Sequence, residues 1–368
     1  MAKSFLDEWL DDRSDSAFNL GESGVANIRL SEIFRGESLE RDLAKIDFDH
    51  NPTHGSEALR GAVAALHEHA EPNEILITAG ASEAIFLYFL ARRAARANAV
   101  IVTPAFHSLY DVPETLGYEV RRVELSFEEG YALPLERILK AVDENTRCVV
   151  ITTPSNPMGS VVTYEEVTAL GNELERLDCD ILLDEQYRFL PHDDNVQRFA
   201  SPANRTSRIL SVGSAGKCYG AVGLRVGWIV GATKFLEQLN EYKALTSHAV
   251  SKLNDRICLE LLISGEDLLS LNRAGVRRNA ALLERLIARH QDVLEWVRPT
   301  GGTVAFPRLK AGRSVEFSQA LFEKHDVLVL PGEAFDVAGH FRIRLGANPK
   351  IFAAASERMD DFLTQWAA

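Results

Sequence analysis

Residues 211–228 read SVGSAGKCYGAVGLRVGW: an apolar segment that runs out into small residues, a single lysine at 217, and an arginine at 225 between glycines. A lone lysine is ordinarily solvated surface, so its meaning depends on its setting. RILSVGSAGK (208–217), DILLDEQYRF (180–189), RCVVITTPSNP (147–157), AVIVTPAF (99–106) and EILITAG (74–80) are short apolar runs that stop in small or polar residues. Between them stand helix-like patterns, among them SEALRGAVAALHEHA (56–70), SEAIFLYFLARRAARA (82–97) and EEVTALGNELERL (165–177). Apolar strands alternating with helices predict a mostly parallel sheet covered on both faces, an α/β fold.

Beyond residue 250 the rhythm changes. KLNDRICLELLI (252–263) and NRAGVRRNAALLERLIARH (272–290) predict long helices, followed by short strand candidates at 301–309, 327–332 and 340–346 and a last helix at 350–366. That order predicts a smaller α+β domain. We therefore expect an arm over 1–45 packing on the small domain, a large α/β domain over 46–255 and a small C-terminal domain over 256–368.

The formal charge of −13 argues against nucleic acid or an anionic membrane face as partner. Cys148, Cys179, Cys218 and Cys258 form no CxxC pair, which argues against a metal or disulfide framework and predicts a reducing, cytoplasmic setting. The acidic MAKSFLDEWLDDRSDS (1–16) has no apolar core of signal-peptide type, and no run reaches membrane-helix length.

In open parallel sheets, ligands sit beyond the carboxyl ends of the strands. The residues that follow the apolar runs are Gly80-Ala81-Ser82, Phe106, Asn156, Asp184 with Tyr187, and Ser214 with Lys217. Singly each has a bland reading: a capped turn, a core aromatic, a turn signal, a cap. At equivalent strand ends of one chain they suit one ligand, pyridoxal phosphate. This cofactor needs a lysine for its Schiff base, a carboxylate for its pyridine nitrogen, an aromatic face, and amides at a helix N-terminus for its phosphate. Arg225 then has a use, since a guanidinium holds phosphate by fork geometry. Gly216 leaves room beside Lys217. No GxGxxG follows the first strand, which disfavours a nicotinamide enzyme.

With these residues in place the chain resembles the class I/II aminotransferases, a family of fold-type I pyridoxal-phosphate enzymes. HGSEALR (54–60), ITAGASEAI (77–85), TPAF (103–106), PSNPMG (154–159), DEQYR (184–188), PTGGTVAF (299–306), VLVLPGEAF (327–335) and FRIRLG (341–346) carry the resemblance in order. It implies a seven-stranded-type sheet domain with a smaller α+β domain, and Lys217 as Schiff-base lysine and proton shuttle. Asp184 would pair with the pyridine nitrogen, and Tyr187 and Asn156 would hold the 3′ oxygen. Phe106 would stack on the ring, while Ser214, Arg225 and Gly80-Ala81-Ser82 would bind phosphate. Arg342 would grip the substrate carboxylate, with Arg344 a second candidate whose bland alternative is a surface salt bridge. Lys217 must be neutral to act, and burial beside cationic groups should lower its pKa.

The chain departs from the family pattern where His50 replaces a tyrosine that reaches the neighbouring subunit's phosphate, where Gly216 replaces a serine, and where NPMG replaces NPTG. The resemblance also implies a homodimer. The segment FNLGESGVANI (18–28) is similar to that of capreomycidine-synthase-like enzymes, which act on arginine derivatives by elimination and ring closure; related arginine oxidases share the scaffold. There Gly24 would let backbone approach the ligand, and Glu22 would face a cationic side chain. The leading expectation is an aminotransferase that forms an external aldimine with an α-amino acid and removes its Cα proton. The alternative is cyclisation, elimination or oxidation of an arginine-like substrate on the same cofactor. A non-catalytic regulator is disfavoured by the presence of Lys217 and the lack of a DNA-binding extension.

Overall fold

A computed structural model describes residues 4–33, 41, 43–193 and 200–366. A two-residue strand, β1 (Phe18–Asn19), precedes the main sheet, which is built from β2 (Ile75–Thr78), β3 (Asn98–Thr103), β4 (Glu119–Glu124), β5 (Thr146–Thr152), β6 (Asp180–Asp184), β7 (Ile209–Ser214) and β8 (Gly227–Val230). Their spatial order is β2-β8-β7-β6-β5-β3-β4. Only β8 runs antiparallel to its neighbours, β2 and β7. The carboxyl ends of β2, β3, β5, β6 and β7 thus share one edge, and the reversed β8 starts there, just after Arg225.

β3 and β6 are buried along their whole length, which is why they read as unbroken apolar runs. The edge strand β4 (EVRRVE) is charged instead, and charges on an edge discourage pairing with other chains. One core lies on each face of the sheet. Ala84, Ile85, Leu87 and Phe89 pack beneath β3 and β7, while Val167, Leu170 and Leu174 pack against β5 and β6.

Further short strands follow: β9 (Leu294–Glu295), β10 (Val304–Ala305), β11 (Arg308–Leu309), β12 (Val327–Leu328), β13 (Leu330–Pro331) and β14 (Phe341–Arg344). β14 lies between β10 and β13, and helices Glu266–Arg289, Ser314–His325 and Pro349–Trp366 close a separate core around Phe317, Phe341, Phe352 and Phe362. The N-terminal segment joins this unit. β1 pairs in parallel with β12, and the Trp9 indole donates to the Val329 carbonyl at 3.0 Å.

Two helices are shorter than the sequence pattern predicts. The helix expected over 82–97 is Ala81–Ala91. Arg92 leaves it to pair with Asp180 at 2.9 Å and Asp178 at 3.1 Å, and Arg96 takes a left-handed φ of 58°. The helix expected over 56–70 is Glu57–Ala64, because Leu66 and His67 donate to Val63 and Ala64 in tighter three-residue turns. Among the described residues, no helix is long and apolar enough to cross a membrane.

Candidate active site

The shared strand edge opens into a cavity lined by Gly80, Ala81, Ser82, Phe106, Asn156, Asp184, Tyr187, Ser214, Lys217 and Arg225, together with Ser23 and Gln186. Each arrives by a short route. Asp184 ends β6, Ser214 ends β7, and Lys217 sits in the single turn Gly216–Tyr219 that follows. Gly80 caps helix Ala81–Ala91 with φ 82°, a conformation that favours glycine, and a Cβ there would lie 2.8 Å from Arg225 Nη2. The Arg225 guanidinium therefore lies directly against the start of that helix, where unpaired amides and the helix dipole favour an anion. Arg225 itself has φ 52°, strain of roughly 1 kcal/mol or more kept where a charge must be aimed.

Asp184 is a buried titratable group and Lys217 a half-buried one. Burial pushes the Asp184 carboxyl up to about 7, against hydrogen bonding from Gln186 and the charge of Lys217. Burial brings Lys217 down to about 8, and Arg342 adds to the effect. At pH 8 about half of this amine is neutral, which an unperturbed lysine does not approach. Its Nζ donates to the Ser23 hydroxyl at 2.9 Å. Tyr187 is 3% exposed, and burial raises its phenol well above the ordinary range, so it is a neutral donor.

The other side of the site belongs to β14 and the N-terminal arm. Arg342 is 2% exposed, donates to Asn156 Oδ1 at 3.0 Å and to the Gly21 carbonyl, and lies 5.3 Å from the Phe335 ring centre. Burial lowers it to about 10. Among the described residues Arg344 makes no salt bridge; it donates to the carbonyls of Gly24 and Val25, both at 2.6 Å. Gly24 lies beside Lys217, where a Cβ would make only ordinary contact, 3.7 Å from Lys217 Cδ, and Val25 N donates to the Lys217 carbonyl at 3.0 Å. Gly220, at φ 72°, lets the arm cross: a Cβ there would lie 2.2 Å from the Ala26 oxygen. Glu22 is exposed between buried Gly21 and Ser23, and its charge is felt by Lys217, Arg342 and Arg344.

His50 does not line the cavity. It sits in an exposed loop, edge-on to His248 with ring centres 5.9 Å apart. Ser23 and Gln186 escaped the sequence reading although each lies between selected residues, Glu22 and Gly24 in one case, Asp184 and Tyr187 in the other. The signal was adjacency on a loop already assigned to the site.

These residues fit pyridoxal phosphate. Among the described residues Asp184 Oδ1 is buried without a hydrogen-bond partner, and a ring N–H would supply one. The Arg225 guanidinium at a helix start suits the phosphate, and Phe106 offers the cavity an aromatic face.

Comparison with known proteins points the same way. The family model described as aminotransferase class I and II matches residues 46–355. Capreomycidine synthase of Streptomyces vinaceus is 30% identical over 96% of this chain and 93% of its own length. A probable aspartate/prephenate aminotransferase of Aquifex aeolicus is 27% identical over 90% of this chain and 88% of its own. In fold, the chain matches a PLP-dependent aminotransferase from Streptococcus suis with TM-score 0.92 at 23% identity, covering 99% of this chain and 98% of that one. It matches the PLP-dependent cyclase OrfR with TM-score 0.91 at 24% identity and the same coverage.

Proposed function

The chain belongs to the aminotransferase class I and II family and is a pyridoxal-phosphate-dependent enzyme, and from that premise we propose that it takes the Cα proton from an α-amino acid with a cationic, arginine-like side chain. The observation that carries the substrate class is Glu22. Its carboxylate is exposed on the arm beside the cavity-lining Ser23, within the field of Lys217, Arg342 and Arg344, and no ion pair of its own is found among the described residues. A guanidinium or ammonium on the substrate would complete it.

When bound, the cofactor supplies an electron sink for the charge left on Cα. The chain does the rest. Asp184 would hold the ring nitrogen, and Arg225 with the 80–82 turn would hold the phosphate; Phe106 would offer an aromatic face, and Asn156 and Tyr187 would supply donors for the 3′ oxygen. Arg342 takes the substrate carboxylate in bidentate fashion, which orients the Cα–H bond toward Lys217. Lys217 is the amine for the cofactor's aldehyde and, when free and neutral, the base that accepts the Cα proton. Ser23 positions that amine, and the arm over Lys217 keeps water away.

Amino transfer, the leading expectation from sequence, and ring closure by elimination both begin with this proton removal. The likeness to capreomycidine synthase over 96% of the chain supports ring closure. Purified enzyme should therefore turn over a β-hydroxylated arginine, whose hydroxyl leaves as water before the guanidine nitrogen adds, without any 2-oxo acid acceptor, and Glu22→Gln should raise KM for this substrate about tenfold while sparing a neutral amino acid. Turnover only with an acceptor would return the reading to amino transfer.

A further inference from the structure

The long helix Glu266–Arg289 enters two cores. Its Leu269 belongs to the core that holds Cys218 and Tyr219 of the lysine turn, while Val276, Ala280 and Leu283 belong to the one that holds Phe341 and Ile343 of β14. Asparagine is a poor residue for a helix interior, yet this helix carries Asn272 and Asn279, seven positions apart on one face. Asn272 Nδ2 donates at 2.9 Å to the carbonyl of Cys218, the residue after Lys217. Asn279 Nδ2 donates to the carbonyls of Leu345 and Ala347 at 2.8 and 2.9 Å, just past the strand that carries Arg342. A carbonyl oxygen only accepts, so in each case the amide N–H2 must face it.

Both contacts answer a need at their far end. The turn Gly216–Tyr219 is too short to satisfy its own last carbonyls. The Gly216 carbonyl takes the N–H groups of Gly220 and Ala221, the Lys217 carbonyl takes that of Val25, and the Cys218 carbonyl is taken by Asn272. Asn279 is fully buried, and its amide nitrogen serves two carbonyls at once. Seven residues of unbroken helix hold the two amides about 10 Å apart along the axis. We propose that this helix is the spacer that sets the separation of Lys217 from Arg342, with Asn272 and Asn279 as the positioning residues at its two contacts.

The proposal rests on the roles given above to Lys217 as base and Arg342 as holder of the substrate carboxylate. Hydrogen exchange of the holoenzyme tests the contacts without turnover. Asn272→Leu should raise exchange at 216–221 about tenfold and leave 341–347 unchanged, and Asn279→Leu should do the reverse. With a β-hydroxylated arginine, Asn272→Leu should lower kcat about tenfold and keep KM within about twofold, because the base is displaced and the carboxylate grip is not. Asn279→Leu should instead weaken binding of α-methylarginine, which has no Cα proton to lose, about tenfold. Asn272→Asp, of the same shape but without the N–H2, should match Asn272→Leu. Exchange that rises at both segments with one variant, or at neither, overturns the proposal, as does a change confined to KM in Asn272→Leu. Asn272 is only half-buried, so its two variants decide the matter if Asn279→Leu fails to fold. Wild-type holoenzyme that does not bind α-methylarginine would sink the arginine-like substrate reading, while the exchange comparison still decides the spacer.

Discussion

Asp184 and Lys217 are drawn toward one another in proton affinity, to about 7 and about 8, from ordinary values of 3.8 and 10.5. Without cofactor each has a sign that can be followed. Folding raises the Asp184 pKa, so its contribution to stability is present below pH 3.8 and is lost as pH rises through about 7. Folding lowers the Lys217 pKa, so its contribution is present above pH 10.5 and is lost as pH falls through about 8. Their joint contribution is therefore least between about 7 and 8. Urea unfolding of cofactor-free protein should show that Asp184→Asn flattens the loss of stability between pH 4.5 and 7, by up to about 3 kcal/mol; equal slopes for variant and wild type would refute this. Both residues were legible in the sequence because each ends an apolar run with a group that such a run has no structural use for. Ser23 and Gln186 were not, because neither ends an apolar run, and only the folded contacts, Lys217 Nζ on the Ser23 hydroxyl and the Ser214 hydroxyl on Gln186 Oε1, bring them into the site.

Among the elements, β14 matters most to the site. Its two arginines, on one face at a spacing of two, reach the arm from the same strand, Arg342 through Gly21 and Arg344 through Gly24 and Val25. Arg344→Ala should raise hydrogen exchange at residues 21–28 and increase KM about tenfold or more, with exchange in β3 and β6 unchanged. Unaltered exchange at 21–28 would show that the arm is held by other contacts. The main-sheet strands could be read from sequence because burial on both faces leaves an uninterrupted apolar signature. The strands of the second unit are mostly two residues long, too short for any period to show. The end of helix Ala81–Ala91 was misjudged because the stop comes from Arg92 reaching Asp178 and Asp180, partners far along the chain.

Over the whole molecule, Phe48 and Leu245 are 93% and 82% exposed, on the two loops that His50 and His248 bring together. In the homodimer that the family resemblance implies, these two side chains would be covered. Sedimentation should give a species of twice the 40.8 kDa chain mass, and Phe48→Asp with Leu245→Asp should convert it to monomer; a monomeric wild type would remove this assignment. The site also has an order along the chain. The residues proposed to seat the coenzyme are drawn from 80–225, whereas Arg342, proposed for the substrate carboxylate, and Arg344, which ties down the arm, come later in the chain. During synthesis a ribosome would therefore have released every group proposed to hold the vitamin-derived aldehyde while the two late arginines were still to be translated.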